Sequence, residues 1–240
     1  MGRLKDGSEG PNFEQGIELH AKQTVFSEGC RGHLGKILIK KFDLDIESSP
    51  QTYGIGIKEL WEISPEKSKP GSILHTTGWP LKSDTYGGSF LYHLDKNKIS
   101  IGFVVGLDYK NPYLSPYMEF QRFKHHPEIK KILEGGRRIN YGARALNEGG
   151  IQSLPKLTFP GGMLVGCEAG FLNVPKIKGT HLAMKSGIIA ASTILENIDT
   201  KDEILNFEDQ IKNSWVWSEL YKVRNIRPSF KWGFWKAIVY

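Results

Sequence analysis

The sequence predicts a mixed α+β / α/β protein in which an antiparallel sheet interrupts a strand–helix framework. Three observations carry that expectation. Strand-like runs with turn signals between them crowd residues 53–106. A strand–turn–helix pattern stands on each side of that region. The 240 residues are 39% hydrophobic and 24% charged, which suits a globular chain with a sizeable core.

Residues Met1 to Gly16 read as a loop or hairpin tip. Ile17 to Phe26 alternates and then turns apolar, the pattern of a strand, and a Gly-punctuated turn leads to a helix from about Leu34 to Phe42. Tyr53–Trp61, Gly71–Trp79, Ser89–His93 and Ile99–Val105 are expected strands, separated by turns such as Lys69-Pro70-Gly71 and Asp95-Lys96-Asn97-Lys98. Ser115–Phe123, with Pro116 in its first turn, and Pro127–Leu133, stopped by Gly135-Gly136, are expected helices. Arg138–Ala143 reads as a strand before the glycine-bearing loop Asn147–Gly150. Met163-Leu164-Val165 reads as a short buried strand, Gly166–Gly179 as an irregular loop, and Thr180–Ile198 as a helix rich in small residues. The tail crowds Trp215, Trp217, Trp232, Phe234 and Trp235 among basic residues and stops in an apolar run, which predicts truncation.

The net charge of +6 is scattered, its densest groups being Lys40-Lys41, Lys130-Lys131 and Arg137-Arg138, so no nucleic-acid partner is expected. Two distant cysteines, Cys30 and Cys167, offer neither a disulfide framework nor a thiolate metal site. No apolar leader and no membrane-spanning run is visible, which leaves peripheral membrane contact open. His125-His126 reads as a surface pair, and no metal site and no catalytic nucleophile–base arrangement stands out.

Three stretches offer chemistry. In Gly161–Gly187 a strand leads through a loop to a helix that starts at Gly179-Thr180, where free N–H groups and the helix dipole suit an anion or an electron-rich ring edge. The same pattern serves an ordinary packing helix with a glycine cap. Gly87-Gly88 has no Cβ to hold off a flat ring, or is simply a hairpin pair. Glu28-Gly29 opens a turn before the first helix, and Cys30 beside it reads as a buried small residue.

The runs Thr85–His93, Gly106–Tyr109, Asn111–Pro116, Tyr141–Gly150, Pro155–Gly162, Asn173–His181, Asn213–Trp217 and Arg224–Ser229 resemble the electron transfer flavoprotein–ubiquinone oxidoreductase family. Gly166-Cys167-Glu168-Ala169-Gly170 with Pro175, Gly179 and Thr180 also resembles the second flavin motif of glutathione-reductase-type flavoproteins. The resemblance implies part of a glutathione-reductase-like two-domain FAD fold with an antiparallel quinone-binding domain. It places Gly87 and Gly88 on the ubiquinone head group, and the neighbouring Tyr86, Phe90 and Tyr92 are expected to supply apolar walls. It places Glu28, Gly29, Gly166, Cys167, Asn173, Gly179 and Thr180 on the FAD. Cys167 stands where the wider class carries an Asp, so a carboxylate contact to the ribityl or ribose chain is in question.

The implied activity is electron transfer from reduced electron transfer flavoprotein to ubiquinone through FAD and a 4Fe-4S cluster, on the mitochondrial inner membrane or a bacterial cytoplasmic membrane. The implied divisions are 1–50, the end of a FAD lobe; 51–155, a quinone-binding domain; 156–200, a return to the FAD lobe; and 201–240, the start of a C-terminal region. Neither the G-x-G-x-x-G fingerprint nor the cluster cysteines occur in this sequence, so weak or no retention of FAD by this chain alone is expected. A flavoprotein of geranylgeranyl-reductase type, and a non-catalytic fragment that binds a partner or membrane, are the alternatives.

Overall fold

A computed structural model describes residues 2–199 and 202–239. Strand β1 (Thr24–Phe26) lies parallel to β8 (Gly162–Leu164), and β7 (Thr158–Phe159) flanks β8 antiparallel. Parallel neighbours need a crossover. Here the crossover carries a complete second sheet: β2 (Tyr53–Glu62), β3 (Ile73–Thr77), β4 (Gly87–Leu94), β5 (Lys98–Gly106) and β6 (Arg137–Asn147), antiparallel throughout in the order β3-β4-β5-β2-β6.

The expected turn chemistry is visible in the hairpin between β4 and β5, where Lys96 and Asn97 take φ of 56° and 55°. Along β4 the period of two sends Ser89, Leu91 and His93 inward and leaves Phe90 and Tyr92 on the opposite face. Helices α2 (Pro116–Lys124) and α3 (Pro127–Leu133) cover the inward face, with Leu91, Ile99, Ile101, Phe103, Phe120, Phe123 and Ile129 as one core. Helix α2 starts as its sequence dictates: Pro116 sits in the first turn and Ser115 Oγ accepts from Met118 N–H.

A second core gathers Phe159, Met163, Leu164, Phe171, Leu182, Ile211 and Leu220. It joins the small sheet to α1 (His33–Lys41), α4 (Gly166–Ala169), α5 (Thr180–Glu196), α6 (Asn206–Lys212) and α7 (Trp215–Lys222). The chain continues through α8 (Ile226–Ser229) and α9 (Phe234–Val239).

Four expectations are corrected. Of the strand expected over Ile17–Phe26, only Thr24–Phe26 forms, because β8 pairs with those three residues alone; Ile17 and Leu19 are 90% and 91% exposed. The loop expected over Gly166–Gly179 contains α4, stopped by Gly170 at φ 101°, whose N–H and that of Phe171 both reach Gly166 O. The strand expected at Arg138–Ala143 runs from Arg137 to Asn147, because β2 offers pairing along that whole length. Helix α5 ends at Glu196, not Ile198. The boundary expected between residues 200 and 201 and the side chain of Phe234 lie outside the described residues.

One buried ion cluster ties α2 to the large sheet. Glu59 on β2 is 2% exposed and receives Lys124 Nζ at 2.8 Å, Trp61 Nε1 at 2.8 Å and Arg138 Nη1 at 3.2 Å. Burial pushes the Glu59 carboxyl up, but the hydrogen bonds from Lys124, Trp61 and Arg138 outweigh it and hold the group below its ordinary value. Glu59→Ala leaves the Lys124 ammonium buried without its counter-charge and is expected to cost about 3–5 kcal/mol in urea unfolding. Because the folded value is depressed, the wild-type contribution is full near neutral pH. It disappears as pH falls below about 4, a loss that acid titration of the variant should not show.

Candidate functional site

The two lobes face each other across a cavity of about 880 Å³. Its sheet wall is Thr76, Thr77, Gly87, Gly88 and Val104; its opposite wall is Cys167, Leu172, Val174, Gly179, Thr180 and Ala183; Glu148, Ile226 and Phe230 close one end. Most of that lining is apolar, the usual character of a small-molecule site. Residues far apart in sequence, Gly87-Gly88 and Cys167, Gly179 and Thr180, therefore share one space.

Backbone geometry explains the glycine pair. A Cβ on Gly87 would collide with the Val104 carbonyl and the Leu81 side chain, and one on Gly88 would lie 2.6 Å from Thr76 O. Strands β3 and β5 thus close on β4 here only because both side chains are absent, and the flat peptide faces are left on the cavity wall. Tyr86 lines the cavity, its ring edge-on to Phe230 at 4.7 Å. Phe90 and Tyr92, expected as further walls, are not on it. Phe90 lies over Gly102, where a Cβ would meet its ring, and stacks on Tyr92 at 4.8 Å. The period of two keeps both on the Gly88 face of β4, but farther along the strand, where the Tyr92 hydroxyl meets His75 Nε2 at 2.9 Å and Lys178 Nζ at 3.3 Å.

The other sequence-nominated residues sit as follows. Helix α5 begins at Gly179 with no side-chain cap, so its first N–H groups stay open beside Thr180. Gly166, at φ 61°, lies behind the wall and donates its N–H to Ser186 Oγ at 3.0 Å. Asn173 is fully buried and does not reach the cavity: its amide donates to Glu219 Oε1 at 2.8 Å and its oxygen accepts from Lys176 N–H. Glu28 accepts from Gly35 N–H at 2.9 Å, after Gly29 turns the chain at φ 96°.

Glu168 meets Glu28 over Gly32 and Gly35; burial first, and then the Glu28 charge, push its carboxyl up, and its Oε2 has no hydrogen-bond partner. A buried carboxylate oxygen of this kind suits a hydroxyl donor. It stands one residue beyond Cys167, where the sequence lacks the expected Asp. Cys30 is half-buried. Burial pushes the thiols of both Cys30 and Cys167 above their ordinary value, so neither is poised as a nucleophile. No cluster of three or more His, Cys, Asp or Glu suited to a metal ion occurs among the described residues.

The most unusual group on the wall is one that sequence reading passed over. Glu148 follows β6, is 2% exposed, and its Oε2 accepts no hydrogen bond. Arg227 Nε stands 3.7 Å from that oxygen, while Arg227 Nη2 holds Asp108 at 2.8 and 2.9 Å and the guanidinium lies 4.2 Å from the centre of the Tyr86 ring. The cross-strand pair Gly54 and Gly106 makes the room: a Cβ on Gly54 would strike the Glu148 carboxylate, and one on Gly106 would crowd Asp108, Arg227 and Glu148. Burial pushes Glu148 up, Arg227 pulls it down and Asp108 pushes it up again, leaving it at about 7. Burial and the Glu148 charge likewise raise Tyr86. The only sequence signal was a carboxylate between Leu146 and a Gly-Gly pair; nothing in the local pattern showed its burial.

A family model described as ETF-QO, ubiquinone-binding, matches residues 53–146. The mitochondrial electron transfer flavoprotein–ubiquinone oxidoreductase of Sus scrofa is 64% identical over 239 residues, covering 95% of this chain and 39% of that protein. Its Homo sapiens counterpart is 63% identical with the same coverage. The Dictyostelium discoideum protein of that name is 52% identical over 256 residues, covering 100% of this chain and 42% of itself. The chain thus spans about two-fifths of the length of these relatives.

Among solved structures, a geranylgeranyl bacteriochlorophyll reductase-like protein from Thermoplasma acidophilum superposes with a TM-score of 0.63 at 17% identity, covering 88% of this chain and 54% of that one. The halogenase PltM, in complex with ethyl mercury and mercury, gives 0.55 at 13% identity, covering 88% and 43%. At these identities the likeness concerns the fold, which is glutathione-reductase-like with an antiparallel second sheet, as the sequence predicted.

The Glu148 environment has a measurable consequence. Its folded value near 7 exceeds the ordinary 4.5, so the folded chain holds a proton there that the unfolded chain has lost. Stability is therefore greatest below about pH 4.5 as far as this group is concerned, and falls as pH rises toward 7, by on the order of 2–3 kcal/mol. Thermal unfolding at about pH 5 and pH 8 should show this loss in the wild type and its absence in Glu148→Gln.

Proposed function

We propose, from the premise that the chain belongs with the electron transfer flavoprotein–ubiquinone oxidoreductases, that it forms the wall shared by a ubiquinone site and a flavin site. The observation that carries this reading is the single cavity of about 880 Å³ that holds Gly87-Gly88 on one side and Gly179-Thr180 on the other. Residues 51–155 form the quinone-binding lobe, with the head group lying against the peptide faces of Gly87 and Gly88 and beside Tyr86. Residues 1–50 and 156–200 form the flavin side, and 201–240 lead into a C-terminal region.

The residues present fit a flavin. The uncapped start of α5 at Gly179 and Thr180 offers N–H groups to an electron-rich ring edge, Cys167 lines the same wall, and the free Oε2 of Glu168 accepts a ribityl or ribose hydroxyl. Glu28 and Gly29 set the turn that presents Gly32 to that carboxylate, and Gly166 positions α4. Asn173 acts by bracing the loop before α5 through Glu219. A bound FAD would supply electron transfer in one- or two-electron steps. The chain's own residues hold the ring edge, keep water from the apolar cavity and set the distance to the quinone.

The whole protein, on this reading, passes electrons from reduced electron transfer flavoprotein through FAD and a 4Fe-4S cluster to ubiquinone, in contact with the mitochondrial inner membrane. No helix among the described residues is long and apolar enough to cross a membrane, and the reading asks only for peripheral contact. The geranylgeranyl-reductase alternative is supported by 17% identity, against 64% for the oxidoreductase of Sus scrofa.

Titration of the chain with a short-tailed ubiquinone analogue, followed by calorimetry, tests the reading. Saturable binding is expected, and Ala183→Trp, which fills the cavity from α5, is expected to weaken it by at least about tenfold, or about 1.4 kcal/mol, with the circular dichroism spectrum unchanged. Equal affinity in the two proteins would overturn the assignment of this cavity.

A further inference from the structure

We infer that Glu148 is the proton donor of this cavity: its neutral carboxyl hydrogen-bonds one carbonyl oxygen of a bound quinone and hands over its proton as the ring is reduced. The inference rests on the reading that the cavity takes a ubiquinone. It goes further by giving a chemical role to a residue that lies within a motif run but to which the sequence assigned no part in the site.

Four geometric facts carry it. Glu148 lines the same cavity as Gly87 and Gly88. Its side chain is almost completely buried, and Oε2 lacks a hydrogen-bond partner, so a donor–acceptor contact there is unfilled. Gly54 and Gly106, opposite each other on β2 and β5, clear the volume that the carboxyl occupies. Arg227 stands at 3.7 Å, close enough to stabilise a carboxylate once formed, yet its hydrogen bonds go to Asp108 instead. The value near 7 agrees with a group that carries a proton when the cavity is filled and can release it.

The step balances. A reduced flavin, when bound, would supply the two electrons and release its own N–H proton to solvent, and both quinone C=O groups become C–OH. One proton comes from Glu148, whose O–H bond breaks to leave a carboxylate facing Arg227; the other comes from hydronium in bulk water. Glu148 is then recharged from solvent. The charged and titratable groups facing it are Arg227 from α8, Asp108 from the turn after β5, and Tyr86 from the segment before β4. Lys58 and His75 line the same cavity and are unchanged in a Glu148 variant, so such a variant isolates this carboxyl.

The test is the pH dependence of binding of the short-tailed ubiquinone analogue to the chain. In the wild type the Kd should be flat at low pH and rise above pH 7, approaching about tenfold per pH unit, while Glu148→Gln, whose amide still donates a hydrogen bond, should lose that slope. Saturable wild-type binding with no slope between about pH 5 and 9 would overturn the role of Glu148 and leave the quinone reading standing. Absence of saturable binding at every pH would overturn both. If Glu148→Gln does not fold, difference infrared spectra of the wild type decide. A protonated-carboxyl band that shifts on quinone binding supports the inference, and carboxylate bands alone below pH 7 defeat it.

Discussion

The guanidinium of Arg227 is where the helical tail of the chain meets the antiparallel sheet. It reaches Asp108 after β5, Glu148 after β6 and the ring of Tyr86 before β4. Three strand ends and one short helix are thereby held at a common point, beside the part of the cavity lined by Tyr86, Glu148 and Ile226. A buried cation of this sort is costly to bring out of water, and its neighbours offset the cost only because each is placed to do so. One of them, Asp108, is half exposed and takes both short hydrogen bonds. Glu148, the buried partner, stands at a longer distance, and burial, only partly offset by Arg227, raises its carboxyl to about 7. One positive charge is thus divided unequally between two carboxylates at the cavity wall.

The glycines follow from the same demand for space. Gly54 and Gly106 make room for the carboxylate, while Gly87 and Gly88 let β3 and β5 approach β4 and leave bare peptide on the wall. A side chain at any of these positions would have to move either the ion cluster or a neighbouring strand. The cavity between the two cores is therefore lined by the bare backbone of Gly87 and Gly88 together with apolar side chains such as Val104, Leu172 and Val174 and the small Thr180 and Ala183 of α5.

Those cores are assembled from very different separations in sequence. In the large sheet β3, β4 and β5 pair with their neighbours in sequence, while β2 reaches across to β5 and β6. The small sheet depends on β1 meeting β8 across more than a hundred residues, a pairing of high contact order. The cavity lies between the two, and both must be in place before Gly88 and Thr180 face each other.

The sequence determined most of the elements because their signals are local: Pro116 and Ser115 start α2, the Asp95–Lys98 turn closes a hairpin, Gly135-Gly136 follows α3, and the glycine at 179 opens α5. The motif runs likewise pointed to the family, since those motifs are long and linear, and of the residues they nominated Gly87, Gly88, Cys167, Gly179 and Thr180 line one cavity. Only the tertiary structure decided what depends on partners. Ile17–Gln23 alternates like a strand but lies outside the ladder that β8 forms with Thr24–Phe26, Phe90 and Tyr92 lie too far along β4 to reach the cavity, and Asn173 turns inward to Glu219. Glu148 and Arg227 stand far apart in the chain and read alone as ordinary surface charges. Their burial, the distance between them and the shift that follows exist only once β6, β5 and α8 converge, because desolvation and Coulomb interaction depend on position in space and leave no trace in local pattern.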